Sequence, residues 1–167
     1  ENALPRTLNY LEFNADGCSI DFGGHDQLVT SLVTYRYKEF SYNSRTNYGF
    51  RSASPAQIRF VGTAINSFGY RGALEGAAGI EWDPQQTARE FTYSNSVATT
   101  CGSLTVKSGS FRLSQGATFP NLGSLTVAAG AVFKVETGSA ANMVATNVIG
   151  DTGAVFALGD KVHILVS

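Results

Sequence analysis

The sequence predicts an all-β protein built as a parallel β-helix, a stack of short coils in which each strand pairs with its counterpart one coil away. Three observations carry this prediction. The first is repetition at a fixed step. Gly102-Ser103-Leu104-Thr105-Val106-Lys107-Ser108-Gly109, followed by Phe111-Arg112-Leu113, returns as Gly123-Ser124-Leu125-Thr126-Val127-Ala128-Ala129-Gly130, followed by Phe133-Lys134-Val135. The second is that apolar and polar residues alternate within each copy, which is the period of a strand and not of a helix. The third is composition. Glycine is abundant at 18 and proline scarce at 4, and charged residues make up only 15%, against the roughly one quarter usual in globular chains. Ser, Thr, Asn and Gly take the polar places, as suits strands joined by tight turns.

A unit with one apolar face cannot bury that face alone, but stacking units in register does so. Alternation then places Leu104, Val106, Phe111, Leu113, Leu125, Val127, Phe133 and Val135 inside. Outside, Thr105 and Thr126 form a ladder with Glu12 as their equivalent, and Asp21, Arg112 and Lys134 share another column. With rungs about 4.8 Å apart and roughly twenty residues per turn, the chain makes about seven coils and a rod of about 30 Å. A β-sandwich of antiparallel hairpins is the structural alternative, although sandwich strands seldom repeat at a constant step.

Taken in order, Leu11-Glu12-Phe13, the turn Asn14-Ala15-Asp16-Gly17, and Ile20-Asp21-Phe22 before Gly23-Gly24 form an altered copy of the same unit. Leu32 follows Leu11 at the step that separates Leu125 from Leu104. Residues 35–51 break the pattern and are expected to protrude as an insertion, in which Tyr35 to Phe40 could be a strand and Ser41 to Thr46 reads as a loop. Tyr35, Tyr37, Phe40, Tyr42, Tyr48 and Phe50 are interleaved there with Arg36, Lys38, Arg45 and Arg51. Gln57 to Val61, Ile80 to Trp82 and Arg89 to Tyr93 read as strands, whereas Ala73 to Ala78 is too broken by glycine to be a convincing helix. A third copy runs from Val148 to Leu158, and a last strand from Asp160 to Val166 alternates Val162, Ile164 and Val166 against Lys161, His163 and Leu165. Gly138 to Asn142 reads as a turn or small bulge.

The 167 residues suffice for one domain with a core, and no linker or low-complexity tract divides them. Glu1 in place of Met, and a strand pattern still running at Val166-Ser167, lead us to expect a processed piece of a longer secreted protein. The uncovered last coil would then continue into further coils or meet another molecule end to end. Cys18 and Cys101 could form a disulfide in an oxidising compartment, or be two unpaired small hydrophobes in the core.

The repeats and the run Cys18-Ser19-Ile20-Asp21-Phe22-Gly23-Gly24-His25-Asp26-Gln27 resemble the autotransporter-associated β-strand repeats of bacterial surface and secreted proteins. The resemblance covers residues 8–33 and 102–158, with 55–93 more loosely and 35–51 outside it. It implies a right-handed parallel β-helix and a secreted or outer-membrane passenger segment of a Gram-negative bacterium. Members of that family include adhesins, proteases and proteins without an assigned role.

For function, a net charge of −1 without a basic run leaves no electrostatic footprint for nucleic acid. No apolar run reaches the about 20 residues that cross a membrane as a helix. Tyr35, Tyr37, Tyr42, Arg45 and Tyr48 are the candidate ligand-binding residues, because aromatic faces beside Arg and Asn suit a polysaccharide or a host surface glycan. The same tyrosines could instead pack the insertion onto the stack. A polysaccharide lyase or glycoside hydrolase would need clustered carboxylates. Glu12, Asp16, Asp21 and Asp26 are the densest group, but on a β-helix the first three would face different directions or lie on turns. His25 and His163 lack a nucleophile or metal partner at a recognisable spacing. A structural, adhesin-like role without catalytic residue, metal or cofactor is therefore the expectation, with glycan binding and polysaccharide cleavage as alternatives.

Overall fold

The computed structural model describes residues 4, 6–13, 19–37, 49–94, 100–114, 116–117, 119, 121–136, 142–160 and 163–166, with the backbone alone for 8–10, 11–13, 33–37, 142 and 163. Every described element is a strand: β1 (Thr7–Phe13), β2 (Ser19–Asp21), β3 (Gln27–Tyr37), β4 (Gly49–Ile65), β5 (Phe68–Tyr70), β6 (Ala73–Asp83) and β7 (Glu90–Tyr93). They continue with β8 (Thr100–Val106), β9 (Ser110–Leu113), β10 (Asn121–Val127), β11 (Val132–Val135), β12 (Asn142–Gly150), β13 (Val155–Leu158) and β14 (His163–Val166). Residues 73–78, ambiguous in the sequence, are the first half of β6.

All pairings among the described residues are parallel, which rules out the antiparallel sandwich. The first sheet runs β1-β3-β4-β6-β8-β10-β12-β14 with β2 also on β4, and the second runs β5-β7-β9-β11-β13. From β5 to β13 the chain completes four turns that visit both sheets. The expectation of about seven coils counted the N-terminal strands as full turns. Among the described residues β1, β2 and β3 join the first sheet only, so that part of the chain adds rungs without closing coils on the second.

The doubled stretch lies in register as its spacing requires, with Leu104 opposite Leu125 and Phe111 opposite Phe133. The third copy holds as well, since Leu125 faces Val148 and Phe133 faces Phe156. The N-terminal step differs: Leu32 lies opposite Leu8, while Leu11 faces Tyr35. Translation of one unit repeats one environment, so the core is made of columns. Ile58, Ile80, Leu104 and Leu125 form one, all fully buried. On the second sheet Phe91, Phe111 and Phe133 form another, with Phe91 and Phe111 stacked 4.7 Å apart and nearly parallel. Each such ring contributes about 1.5–3 kcal/mol by leaving water.

Alternation slips by one inside the long strands. In β8 and β10 the inward Cys101 and Leu122 are followed by two residues that both turn outward, Gly102-Ser103 and Gly123-Ser124, before Leu104 and Leu125 point in again. Two successive outward residues make a corner, so the first sheet folds into two faces. Glycine is required there because the coils approach closely: a Cβ on Gly123 would press on the Gly102 carbonyl oxygen, and one on Gly102 on that of Ala77. Further along each coil, the turn into the second sheet places Gly109 and Gly130 at φ 66° and 74°, a left-handed conformation that other residues adopt only at a cost.

Candidate functional site

The corner glycines have a second consequence. Lacking side chains, they leave a shallow groove on the outer surface, and a second groove adjoins it at Gly76. One, of about 290 Å³, runs over Gly76, Gly102 and Gly123 and is edged by Asn121, Val144 and Thr146. The other, of about 300 Å³, is lined by Asp21, Arg51, Ser52, Glu75 and Gly76.

Three successive rungs supply the charged end of this trough. Asp21 of β2 lies opposite Arg51 of β4, which lies opposite Glu75 of β6, giving an acid-base-acid column. Arg51 Nε donates to Asp21 Oδ2 at 3.1 Å, and Asp21 Oδ1 accepts from the Gly23 amide at 2.9 Å. Both side chains remain about half exposed. The Ser52 hydroxyl below them accepts from Gly24 N at 3.1 Å and donates to the Ser54 carbonyl at 2.6 Å. The trough thus offers a guanidinium, two carboxylates, an amide side chain and hydroxyls over a backbone floor, a set suited to hydrogen-bonding a polyhydroxylated ligand. The sequence placed Asp21 in one outward column with Arg112 and Lys134. Arg112 and Lys134 do pair across β9 and β11, but Asp21 belongs to the first sheet and its partner is Arg51.

Two other ionic clusters lie on the outer faces. Glu81, nearly buried, receives Arg59 at 3.1 Å and Lys107 at 3.1 Å. It also continues the Thr126-Thr105 column, which runs on to Arg59, whereas the backbone of Glu12 lies opposite Arg36 in the register, outside that ladder. On the second sheet Glu90 receives Lys134 at 3.0 Å, with Arg112 Nε also 3.0 Å away, and Arg112 reaches on to Glu136 at 2.9 Å. Burial raises the Glu90 carboxyl, but the Lys134 hydrogen bond, the Arg112 and Lys134 charges and the Ser110 hydroxyl together hold it below its ordinary value. In both clusters every carboxylate is matched by a cation, the arrangement of cross-strand pairing.

Of the residues expected to bind ligand, Tyr35 and Tyr37 lie on β3 opposite Leu11 and Phe13, so the segment begins as a strand of the stack. Their side chains, and Tyr42, Arg45 and Tyr48 entirely, lie outside the described residues, as do Cys18 and the turn at 138–141. Cys101 is a buried free thiol whose Sγ donates to the Ser103 carbonyl at 3.3 Å. Asp26 accepts from the Gln57 amide at 2.9 Å and so anchors a turn. Among the described residues no group of three His, Cys, Asp or Glu could hold a metal ion. Sequence reasoning passed over Glu75, Asn121 and Thr146. The available signal was the glycine opening each copy, Gly102 and Gly123, which marks a column without side chains. Compared with known protein families, curated proteins and solved structures, the chain matches none.

Proposed function

We propose that this chain is a structural, adhesin-like β-solenoid segment of a secreted or surface-exposed bacterial protein, with no catalytic role of its own. The observation that carries the reading is the continuity of the stack. Parallel pairing runs from β4 to β14 with one register shift, between β4 and β6, and its outer surface is spent on ion pairs and hydroxyl contacts between coils. Such a surface stiffens a rod and leaves few groups free for chemistry. The likeness of the repeats to autotransporter-associated β-strand repeats supports a surface location. Incubation with acidic and neutral polysaccharides should release no product; depolymerisation that Asp21→Ala abolishes would overturn the reading.

A second reading, glycan binding on the same rod, is favoured by Arg51. It ends the aromatic and basic segment 35–51 and enters the groove beside Asp21 and Glu75. A glycan array probed with the wild type and with Tyr42→Ala, Tyr48→Ala and Arg51→Ala tests it. Loss of a specific signal in these variants is expected, and signals indifferent to all three dismiss the surface.

A further inference from the structure

The groove at Asp21, Arg51 and Glu75 differs from the other ionic clusters in what it leaves unpaired. Glu81 and Glu90 each face two cations within 3.1 Å. Arg51 spends only its Nε, on Asp21, and its two Nη nitrogens donate no hydrogen bond among the described residues. Glu75 stands on the next rung, opposite Arg51 in the register and exposed. Its carboxylate has neither an ion pair nor a hydrogen bond among the described residues, although it lines the groove.

The walls around these groups are fixed before any ligand arrives. While β6 advances only from Gly76 to Ala78, β4 advances from Ser52 to Ala56, so β4 bulges, and Ala53 of the bulge lines the groove. The Ser52 hydroxyl holds the bulge in place through the Gly24 amide and the Ser54 carbonyl. Gly76, at φ 66°, lets the floor approach it closely: a Cβ there would press on the Ser52 carbonyl oxygen. A wall already held costs a ligand little ordering.

What the groove still offers is a donor edge on Arg51 and an acceptor on Glu75, one rung or about 4.8 Å apart. A sugar hydroxyl both donates and accepts, so neighbouring hydroxyls of one ring can serve both groups. A carboxylate or sulfate would meet Arg51 equally well, but it would lie between Asp21 and Glu75, on the rungs to either side. Two carboxylates against one guanidinium leave the column negative, and repulsion at this range rejects an anion. We propose that this groove selects neutral sugars, and that Glu75 is the residue that excludes acidic ones. The inference rests on the glycan-binding reading above and adds to it the class of sugar.

Glycan arrays carrying neutral oligosaccharides beside uronate- and sulfate-bearing ones, probed with the wild type, Glu75→Gln, Glu75→Lys and Asp151→Asn, test this. The wild type should bind neutral sugars, and acidic ones about tenfold or more weakly. Glu75→Gln keeps a carbonyl acceptor, so it should retain the neutral signals while narrowing the gap. Glu75→Lys makes the column positive and should raise the acidic signals about tenfold or more. Asp151→Asn, which changes an exposed carboxylate between β12 and β13, should alter neither. Melting temperatures check that each variant is folded. A wild type that prefers acidic sugars, or a preference indifferent to both Glu75 variants, overturns the inference and leaves glycan binding standing. A wild type that binds no glycan overturns both.

Discussion

Gln57 reaches across a whole coil to Ser103: its Nε2 donates to Ser103 Oγ at 2.8 Å although 46 residues separate them. The residue between is Gly79, opposite Gln57 in the register, and its missing side chain is the gap that the amide crosses. Lys134 makes a similar reach to Glu90, 44 residues away, at 3.0 Å. Such bonds join a coil to the next but one, beyond the nearest-neighbour contacts that dominate repeat proteins.

Gly79→Ala therefore does two kinds of damage. The new Cβ would press on the Ser103 hydroxyl and on its backbone carbonyl, and it would obstruct the Gln57 bond. Overpacking of this kind costs about 1–3 kcal/mol on top of the obstructed bond, whereas Gln57→Ala loses only the part-buried bond to Ser103, about 0.5–1.5 kcal/mol, and a longer one of 3.4 Å to Thr105. Urea unfolding of both variants should rank Gly79→Ala as the more destabilised, and the opposite order would refute the steric account.

Phe111 sits in the middle of the ring column, fully buried, between Phe91 and Phe133. Phe111→Ala removes a ring that two coils share, at about 3–5 kcal/mol. Phe156, half-buried at the end of the column, should tolerate the same truncation better. Guanidinium midpoints for the two variants check this, and equal losses would mean that the column is not the unit of stability.

The ions on the second sheet make stability depend on acid. Glu90 titrates below its ordinary value of 4.5 in the folded chain, so it binds its proton more readily when unfolded. Its contribution is complete above the unfolded value and is lost as pH falls through the lower folded value. Wild type should exceed Glu90→Gln in melting temperature at neutral pH, with the difference closing in acid below 4.5. A gap that stays constant down that range would show that the charge of Glu90 is not the source.

Burial pushes the Cys101 thiol up to about 12, so thiolate is scarce at mildly alkaline pH. Peptide mapping after iodoacetamide treatment should recover Cys101 unmodified from the folded protein and alkylated after denaturation. Rapid labelling in the folded state would contradict its place in the core.

Much of the fold was legible because repetition in sequence becomes translation in space. Leu104 and Leu125, or Phe111 and Phe133, have matching neighbours in their coils, so equal spacing alone makes them partners. The site was less legible. A glycine groove and its rim come from different coils: Glu75, Asn121 and Thr146 have no mutual spacing to notice, and they meet only because the corner stacks on itself.

By itself, the sequence determined an all-β parallel solenoid, the inward columns of its best copies and the third copy at 148–158. Alternation selects the strand, and a repeated apolar face can be buried only by stacking. The tertiary structure decided the rest: four turns through both sheets, Leu8 and not Leu11 opposite Leu32, and Asp21 bound to Arg51 and not aligned with Arg112. Connections between strands vary in length, and each absorbs or adds residues without disturbing the strands it joins. The offset that reaches the next coil, and the charge found there, is therefore settled only when the backbones hydrogen-bond in register.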